Sequence, residues 1–468
     1  MKHFLAIDLG AESGRAILGT LADGKLALEE LHRFPNTPVR VATGLYWDTF
    51  RLFHEIQQGL AVAGRERHLE LDGIGVDTWG VDYGLFGVDD ELIANPRHYR
   101  DERNDGMMEK TFDTVPRAEI FGETGIQFMQ LNSLYQLYAA KLAGSPGLAN
   151  AKTLLFMPDL FNYWLTGTMK AERTIASTSQ FYDPVRRTWA AGLLSKLGLS
   201  ESILPELVDP GTRLGNLSPW LAEWAGLKET PVFASAGHDT ACAVAAVPGE
   251  GDDWCYISSG TWSLMGVEID EPIINDQSLA LNYTNEIGVG GKVRLLKNIA
   301  GLWLLQECKR SWAAEGKDYS YDELTKLAAE ARPHLAKLDP DAFLHTGNMP
   351  RKIAEWCAEH GQAVPQTTGE FCRTILESLA ERYRQVLENL QTLTGRRINT
   401  IHIVGGGSRN MLLNRLVAEA TGRRVIAGPV EATAAGNILV QAIGSGALKD
   451  LDEARAVVRA SFDVTEVK

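Results

Sequence analysis

Two stretches far apart in the chain repeat one design, and together they constrain the fold more than anything else in the sequence. Phe4-Leu-Ala-Ile-Asp-Leu-Gly-Ala-Glu-Ser-Gly-Arg-Ala-Ile-Leu18 is an apolar run, a turn of small and hydroxyl residues, and a second apolar run. Cys255-Tyr-Ile-Ser-Ser-Gly-Thr-Trp-Ser-Leu-Met-Gly-Val267 does the same, with Ser258, Ser259, Gly260 and Thr261 at the turn. Short runs of Ile, Val and Leu broken by Gly predict strand–turn–strand hairpins. Turns of this composition let consecutive backbone N–H groups converge on an anion, with hydroxyls as further donors. One such hairpin in each half predicts two lobes that each offer a phosphate-gripping turn to a ligand held between them. Ala22-Asp-Gly24 reads as a further hairpin turn, leading into a third strand over Leu26–Leu31.

A dinucleotide-binding turn fits poorly. That motif needs G-x-G-x-x-G between a strand and a helix, whereas Gly10 and Gly14 are separated by Ala11-Glu12-Ser13 and the run after Arg15 is too short for a helix. Neither turn has the Asn-Gly or Asp-Gly chemistry of a plain two-residue hairpin, which argues against edge structure without a ligand.

At 468 residues the chain exceeds one core and is expected to form two domains. Its 46 basic and 60 acidic residues leave a formal charge of −14, which argues against nucleic acid or an anionic membrane as partner. The five cysteines, at 242, 255, 308, 357 and 372, have no metal-type spacing and read as reduced thiols, with a Cys357–Cys372 bridge left open. Asp8 interrupts what would be a signal core, and no apolar run reaches membrane-spanning length, so the expectation is a soluble cytoplasmic protein.

The N-terminal half alternates strands and helices. Asp48 is placed to cap a helix with Phe50, Phe53, Ile56 and Leu60 on one stripe. Leu71–Asp77 reads as a buried strand ending in the polar, aromatic loop Thr78-Trp-Gly-Val-Asp-Tyr83, a candidate site because open sheets bind ligands at strand ends. Trp79 and Tyr83 suit either that site or the core. Tyr99-Arg-Asp-Glu-Arg103 reads equally as a solvated loop or as a wall of the site. Thr153–Gly167 reads as a strand and then a helix opened by Pro158-Asp159.

The best candidate for chemistry is Gly237-His238-Asp239-Thr240, between the strand Pro231–Ala236 and a small-residue helix. Asp239 suits two roles: a helix N-cap, or an ionised carboxylate that accepts a hydroxyl proton during phosphoryl transfer, where catalysis rests on positioning and charge neutralisation. His238 reads as a hydrogen-bond donor to substrate or a satisfied structural residue. G-x-S-x-G is absent, so no serine triad is supported. In the last third, the strand Thr400–Val404 runs into Gly405-Gly406-Gly407, where the backbone can approach a flat ligand, and Ser408-Arg-Asn410 opens a helix over Met411–Thr421. The small-residue helix after Pro429 reads as packing against the strand Arg424–Gly428.

The order of these motifs resembles the FGGY carbohydrate kinases of the actin–hexokinase superfamily over essentially the whole chain. Asp8–Arg15 resembles the first phosphate loop, Ser259-Gly-Thr261 the second, Gly237–Thr240 the catalytic segment, and Val404–Gly407 with Glu431–Gly436 the adenosine segment. The stretches Gly44–Asp48, Asp77–Tyr83, Tyr99–Asp101, Leu131–Leu137 and Lys297–Glu307 are similar to the branch acting on L-rhamnulose. Ala11 in place of Thr, and the absence of Pro and Lys from Leu131–Leu137, depart from the wider family but are shared with that branch.

The resemblance implies an α/β fold of two actin/hexokinase-like (ribonuclease H-like) domains with the active site in the cleft between them. Residues 1–242 would bind sugar and 243–468 nucleotide. It implies an ATP-dependent transfer of phosphate to the C1 hydroxyl of L-rhamnulose in L-rhamnose catabolism. Asp239 would be the catalytic base, with the ketose near Gly80, His238, Asp239, Thr240 and Asn298. ATP would lie near Ala11, Glu12, Ser13, Gly14, Arg15, Thr261, Gln306 and Gly406, and Asp8 would hold hydrated Mg²⁺. The protein would be a monomer or homodimer. Another small ketose (L-fuculose or xylulose) is the near alternative, and a non-catalytic nucleotide-driven clamp of the same superfamily a more distant one.

Overall fold

The computed structural model describes residues 1–467, and these fall into two compact units. The first combines Met1–Pro248 with two later segments, Glu268–Leu295 and Ala432–Ser461; the second is built mainly from Gly249–Val267 and Leu296–Glu431.

The first unit is organised on a six-stranded sheet in the order Arg213–Asn216, Pro231–Phe233, Gly73–Thr78, Lys2–Leu9, Ser13–Ala22, Lys25–Pro35. Pro231–Phe233, Gly73–Thr78 and Lys2–Leu9 run parallel, and the outer strands are antiparallel. Alternation fixes the faces. Leu5, Ile7, Leu9, Ile74 and Val76 share a core with Leu52, Ile56 and Leu60 of the helix Thr49–Ala61 and with Leu160, Phe161 and Leu165 of the helix Met157–Thr166. Burying each such side chain contributes about 1.5–3 kcal/mol. Asp48 caps the first of these helices through the Arg51 N–H. The buried stripe is Leu52, Ile56 and Leu60; Phe50 is 62% exposed and stacks on Trp164 instead.

The opposite face of the sheet is covered by the helix Ala432–Gly444, which corrects the sequence expectation that this helix packs on Arg424–Gly428. Its Asn437 and Gln441 lie over Gly75, where a Cβ would come within 2.7 Å of Asn437 Oδ1. At Gly436 the helix meets the helix Asp239–Ala245 so closely that a Cβ would stand 1.8 Å from the Cys242 carbonyl oxygen.

In the second unit the strands run in the order Ser263–Ile269, Trp254–Ser259, Thr400–Val404, Arg424–Ala427, Thr465–Val467. Trp254–Ser259 is antiparallel to its hairpin partner and parallel to Thr400–Val404. The first unit uses the same local topology, since Lys2–Leu9 is antiparallel to its hairpin partner and parallel to Gly73–Thr78. The repeated hairpin of the sequence is thus a repeated element of the fold. Asp23 and Gly24 have φ of 51° and 71°, as a tight hairpin turn requires, and the strand they open extends over Lys25–Pro35, past the predicted Leu31. All five cysteines are buried and unpaired. Among the described residues, no helix is long and apolar enough to cross a membrane.

Candidate active site

Three parallel strands of the first unit end side by side, and each delivers a carboxylate. Asp8 and Asp77 are direct neighbours in the register of Lys2–Leu9 and Gly73–Thr78. The Thr78 N–H then bonds the Gly237 carbonyl at 2.9 Å, and Thr78 pairs with His238, which brings Asp239 to the same edge. Carboxyl ends of parallel strands are where open α/β sheets bind ligands. Burial and the charge of Asp8 push Asp77 well above the ordinary carboxyl range. Asn437 donates to Asp77 Oδ2 at 2.6 Å, while Asp77 Oδ1 has no hydrogen-bond partner among the described residues. Asp8 Oδ2 pairs with the Arg15 guanidinium at 2.5 Å, directly across the hairpin.

Asp239 is the first residue of its helix, not its cap. The N-cap position belongs to His238, whose carbonyl accepts from the Ala241 and Cys242 N–H groups. The Asp239 carboxylate accepts from the adjoining Thr240, through its N–H at 2.5 Å and its hydroxyl at 3.2 Å, and His238 Nε2 lies 3.4 Å from its Oδ1. Its side chain is 31% exposed. Desolvation, and the negative charge of Asp8, raise its pKa above the ordinary carboxyl value, although His238 and the Thr240 hydrogen bonds pull the other way. A carboxylate that is not spent on capping, with raised basicity, is suited to accept a proton.

The segment carrying Asp239 is held from beneath by a residue that sequence reasoning missed. Glu172 is fully buried and accepts from the Gly237 N–H at 2.8 Å, the Thr174 N–H at 2.8 Å and the Thr174 hydroxyl at 2.5 Å. Thr174 Oγ1 in turn accepts from the His238 N–H at 3.2 Å. Burial pushes Glu172 up to about 7 despite these bonds. Nothing local in Ala171-Glu-Arg-Thr174 marks this role, because Glu172 and Gly237 lie 65 residues apart.

Gly80 and His238 are brought together: a Cβ on Gly80 would be 3.4 Å from His238 Nε2 and 3.4 Å from Thr178. The next residue, Val81, has φ of +68°, strained for a β-branched side chain, and the Asp82 N–H bonds back to the Gly80 carbonyl as in a γ-turn. Three groups hold that geometry. The Val81 N–H donates to Thr178 Oγ1 at 3.1 Å, and its carbonyl accepts from the Ser133 hydroxyl and from Gln136.

Asp82, buried at the end of this turn, accepts from Trp47 Nε1 at 2.6 Å, Gln136 Nε2 at 2.9 Å, Trp79 Nε1 at 3.0 Å and the Tyr99 N–H at 3.2 Å. These partners come from four separate sequence stretches singled out above. Trp79 and Tyr83 are 5% and 6% exposed and belong to the core, with Trp79 packed on Trp47 at 4.0 Å. The Tyr99–Arg103 stretch is no solvated loop either: Tyr99 and Asp101 are buried, and Asp101 accepts from the Leu45 N–H at 2.6 Å.

In the first hairpin, the Gly10 N–H bonds the Ser13 carbonyl, while Asn36 donates to the carbonyls of Gly10 and Glu12. Three carbonyls around Ala11 are thereby engaged within the protein, which fixes the shape of the turn. Glu12 is exposed, and Ala11, Ser13 and Arg15 are half-buried. Gly14 answers to packing: a Cβ there would strike the Phe34 ring at 2.3 Å.

In the second unit, Thr261 sits half-buried at the corresponding turn, where its carbonyl accepts from the Trp303 N–H at 3.1 Å. Gln306 follows on the helix Trp303–Ala314, with its Oε1 lacking a partner among the described residues. Asn298 is half-buried near the end of the strand Val293–Ile299. The three glycines divide their labour. Cβ atoms on Gly405 and Gly407 would meet Ser259 at 3.1 Å and 2.1 Å, whereas Gly406 faces open space. Gly406 is the position at which a ligand can come close.

Residues 3–246 match the N-terminal domain, and residues 255–445 the C-terminal domain, of the FGGY family of carbohydrate kinases. The chain is 46% identical over 463 residues to the rhamnulokinase of Bacteroides thetaiotaomicron, covering 98% of this chain and 94% of that protein. It is 39% identical to the rhamnulokinase of Oceanobacillus iheyensis, over 98% of this chain and 97% of the relative. Among solved structures, a ligand-bound xylulose kinase from Lactobacillus acidophilus superposes with a TM-score of 0.79 at 16% identity, covering 100% and 93% of the two chains. A Plasmodium falciparum glycerol kinase with ADP gives 0.78 at 14% identity, covering 100% and 94%. At such identities the two structures speak to the fold alone.

Proposed function

This chain belongs to the FGGY family of carbohydrate kinases, and within it to the rhamnulokinases, and we propose that it transfers the γ-phosphoryl group of ATP to the C1 hydroxyl of L-rhamnulose. The products are L-rhamnulose 1-phosphate and ADP, a step in the breakdown of L-rhamnose. The observation that carries the mechanism is Asp239: a partly exposed carboxylate of raised basicity, fixed at a strand end and not used as a helix cap.

In the proposed reaction the C1 oxygen attacks the γ-phosphorus while the bond from that phosphorus to the β,γ-bridging oxygen breaks, releasing ADP. The transition state is loose, so alignment and charge neutralisation dominate, and Asp239 Oδ takes the hydroxyl proton late. Gly80, His238 and Thr240 of the first unit, and Asn298 of the second, are proposed to contact the ketose. Ala11–Arg15, Thr261, Gln306 and Gly406 are proposed to contact ATP. Among the described residues no group of three or more His, Cys, Asp or Glu side chains is arranged to hold a metal. Asp8 is proposed to hold a hydrated Mg²⁺ bound through few carboxylates plus phosphate oxygens, with the unpartnered Asp77 Oδ1 beside it. When bound, that ion would neutralise phosphate charge. The reaction is proposed to take place in the cytoplasm.

Asp239→Asn tests this reading. It keeps shape but removes the charge and the proton acceptor, so kcat should fall by about 10²- to 10⁴-fold while ATP affinity and melting temperature stay near wild type. In the wild-type enzyme, activity needs the ionised carboxylate. The raised pKa of Asp239 therefore places the acid limb of kcat/KM above the pH expected of an ordinary Asp, and activity is lost as pH falls through it. A folded Asp239→Asn enzyme that retains most of its turnover would remove Asp239 from the chemistry.

A further inference from the structure

The His238 side chain touches both the proposed base and the space at Gly80, and its ring is anchored from behind. Its Nε2 lies 3.4 Å from Asp239 Oδ1, and its Nδ1 lies 3.1 Å from Glu286 Oε2. Glu286 belongs to the strand Thr284–Ile287 and is itself met by Arg294 Nη2 at 3.0 Å. Arg294 is completely buried, and its Nε donates to the Ile287 carbonyl at 3.2 Å. The geometry points to Glu286, backed by Arg294, as the positioning residue that holds the His238 imidazole for ketose recognition. This inference rests on the ketose-kinase reading above.

The chemistry of the donors supports it. Arg is a donor only, so the 3.3 Å approach of Arg294 Nη2 to His238 Nδ1 and the contacts of both atoms with Glu286 Oε2 are satisfied together when both donate to that oxygen. Burial raises the Glu286 carboxyl, but the Arg294 cation and the hydrogen bond from His238 outweigh it, leaving the group below its ordinary value and therefore a ready acceptor. With Nδ1–H committed to Glu286, the ring cannot turn, and Nε2 is aimed at Asp239 and at Gly80, where a Cβ would stand 3.4 Å from it. From the other side, the His238 backbone is fixed by Thr174. A buried ion pair is weak evidence of a gain in stability, because desolvation offsets the attraction. Retaining one here is understandable if it orients a third group.

Removing Glu286 alone would strand a buried cation, so the test uses Glu286→Gln/Arg294→Met, which removes both charges, and Glu286→Asp, which keeps the pair but draws the carboxylate back from Nδ1. Two readouts are taken on protein shown to be folded. The first is ¹⁵N NMR of histidine-labelled, unliganded protein, with His238 assigned through His238→Asn. The wild type should show Nδ1 protonated and hydrogen-bonded, and both variants should lose that signature. The second is steady-state kinetics, in which KM for L-rhamnulose should rise by at least about tenfold, as expected when a positioned polar group loses its partner, while KM for ATP stays within about twofold. An unchanged His238 signature in either folded variant overturns the inference, as does a lost signature with unchanged KM for the ketose. Failure of the wild type to use L-rhamnulose would instead sink the ketose reading, and the NMR arm would still decide whether Glu286 orients the imidazole.

Discussion

Asp82 collects four donors from Trp47, Trp79, Tyr99 and Gln136, and so ties four separate sequence stretches to one carboxylate. Burial pushes its pKa up to about 6 even though all four bonds favour the ionised form. Asp82→Asn replaces one acceptor oxygen by a donor NH₂ that faces other donors, and each donor left unmatched costs about 1–3 kcal/mol. The variant should therefore melt lower and show a raised KM for the ketose with KM for ATP unchanged. Equal shifts in both KM values would mean that Asp82 supports the whole fold and not the Gly80 turn. Residues such as Asp8 and Asp239 are legible in the sequence because the turns and junctions that carry them are local. The roles of Asp82, Glu172 and Glu286 are not, because each also depends on a partner tens of residues away, and no spacing rule links Glu172 to Gly237, Trp47 to Asp82 or Glu286 to His238. The strain at Val81 is equally hidden, since a β-branched residue gives no warning of positive φ.

Among the elements, the two hairpins were readable because alternation and turn composition are short-range signals, and the structure forms both, although Ser258 and Ser259 belong to the strand Trp254–Ser259 and not to the turn. The helix Ala432–Gly444 was readable as a helix but not in its placement. Its small residues suit any close neighbour, and the neighbour is the helix that begins with Asp239. Gly436→Ala tests that contact. A Cβ 1.8 Å from the Cys242 carbonyl must displace backbone, and overpacking of this kind typically costs about 1–3 kcal/mol or more. The expected result is a lowered melting temperature together with reduced kcat, since the displaced backbone carries Asp239. Gly122→Ala is the control: that glycine is exposed within the helix Arg117–Thr124, has no atom near its Cβ position, and should gain about 0.5–1 kcal/mol. Equal melting temperatures for the two variants would contradict the close-packing account.

At the scale of the whole molecule, the two-domain α/β architecture of an FGGY kinase was legible from motif order, and both halves of the chain match that family. Less legible was the path of the chain, because Glu268–Leu295 and Ala432–Ser461 return to the first unit after the second has begun. Tertiary packing decides such returns, and composition carries no sign of them. Trp79 and Tyr83 are held in the core, so a preference for L-rhamnulose rests on other residues of the site. That preference is the central claim, and initial rates of ADP release from the full chain test it most directly, with ATP and L-rhamnulose, L-fuculose, D-xylulose or D-fructose supplied in turn. The account predicts ADP release that depends on added ketose, with the highest kcat/KM for L-rhamnulose. Equal or better use of any other ketose would contradict the substrate, and ADP release indifferent to sugar would contradict the kinase itself.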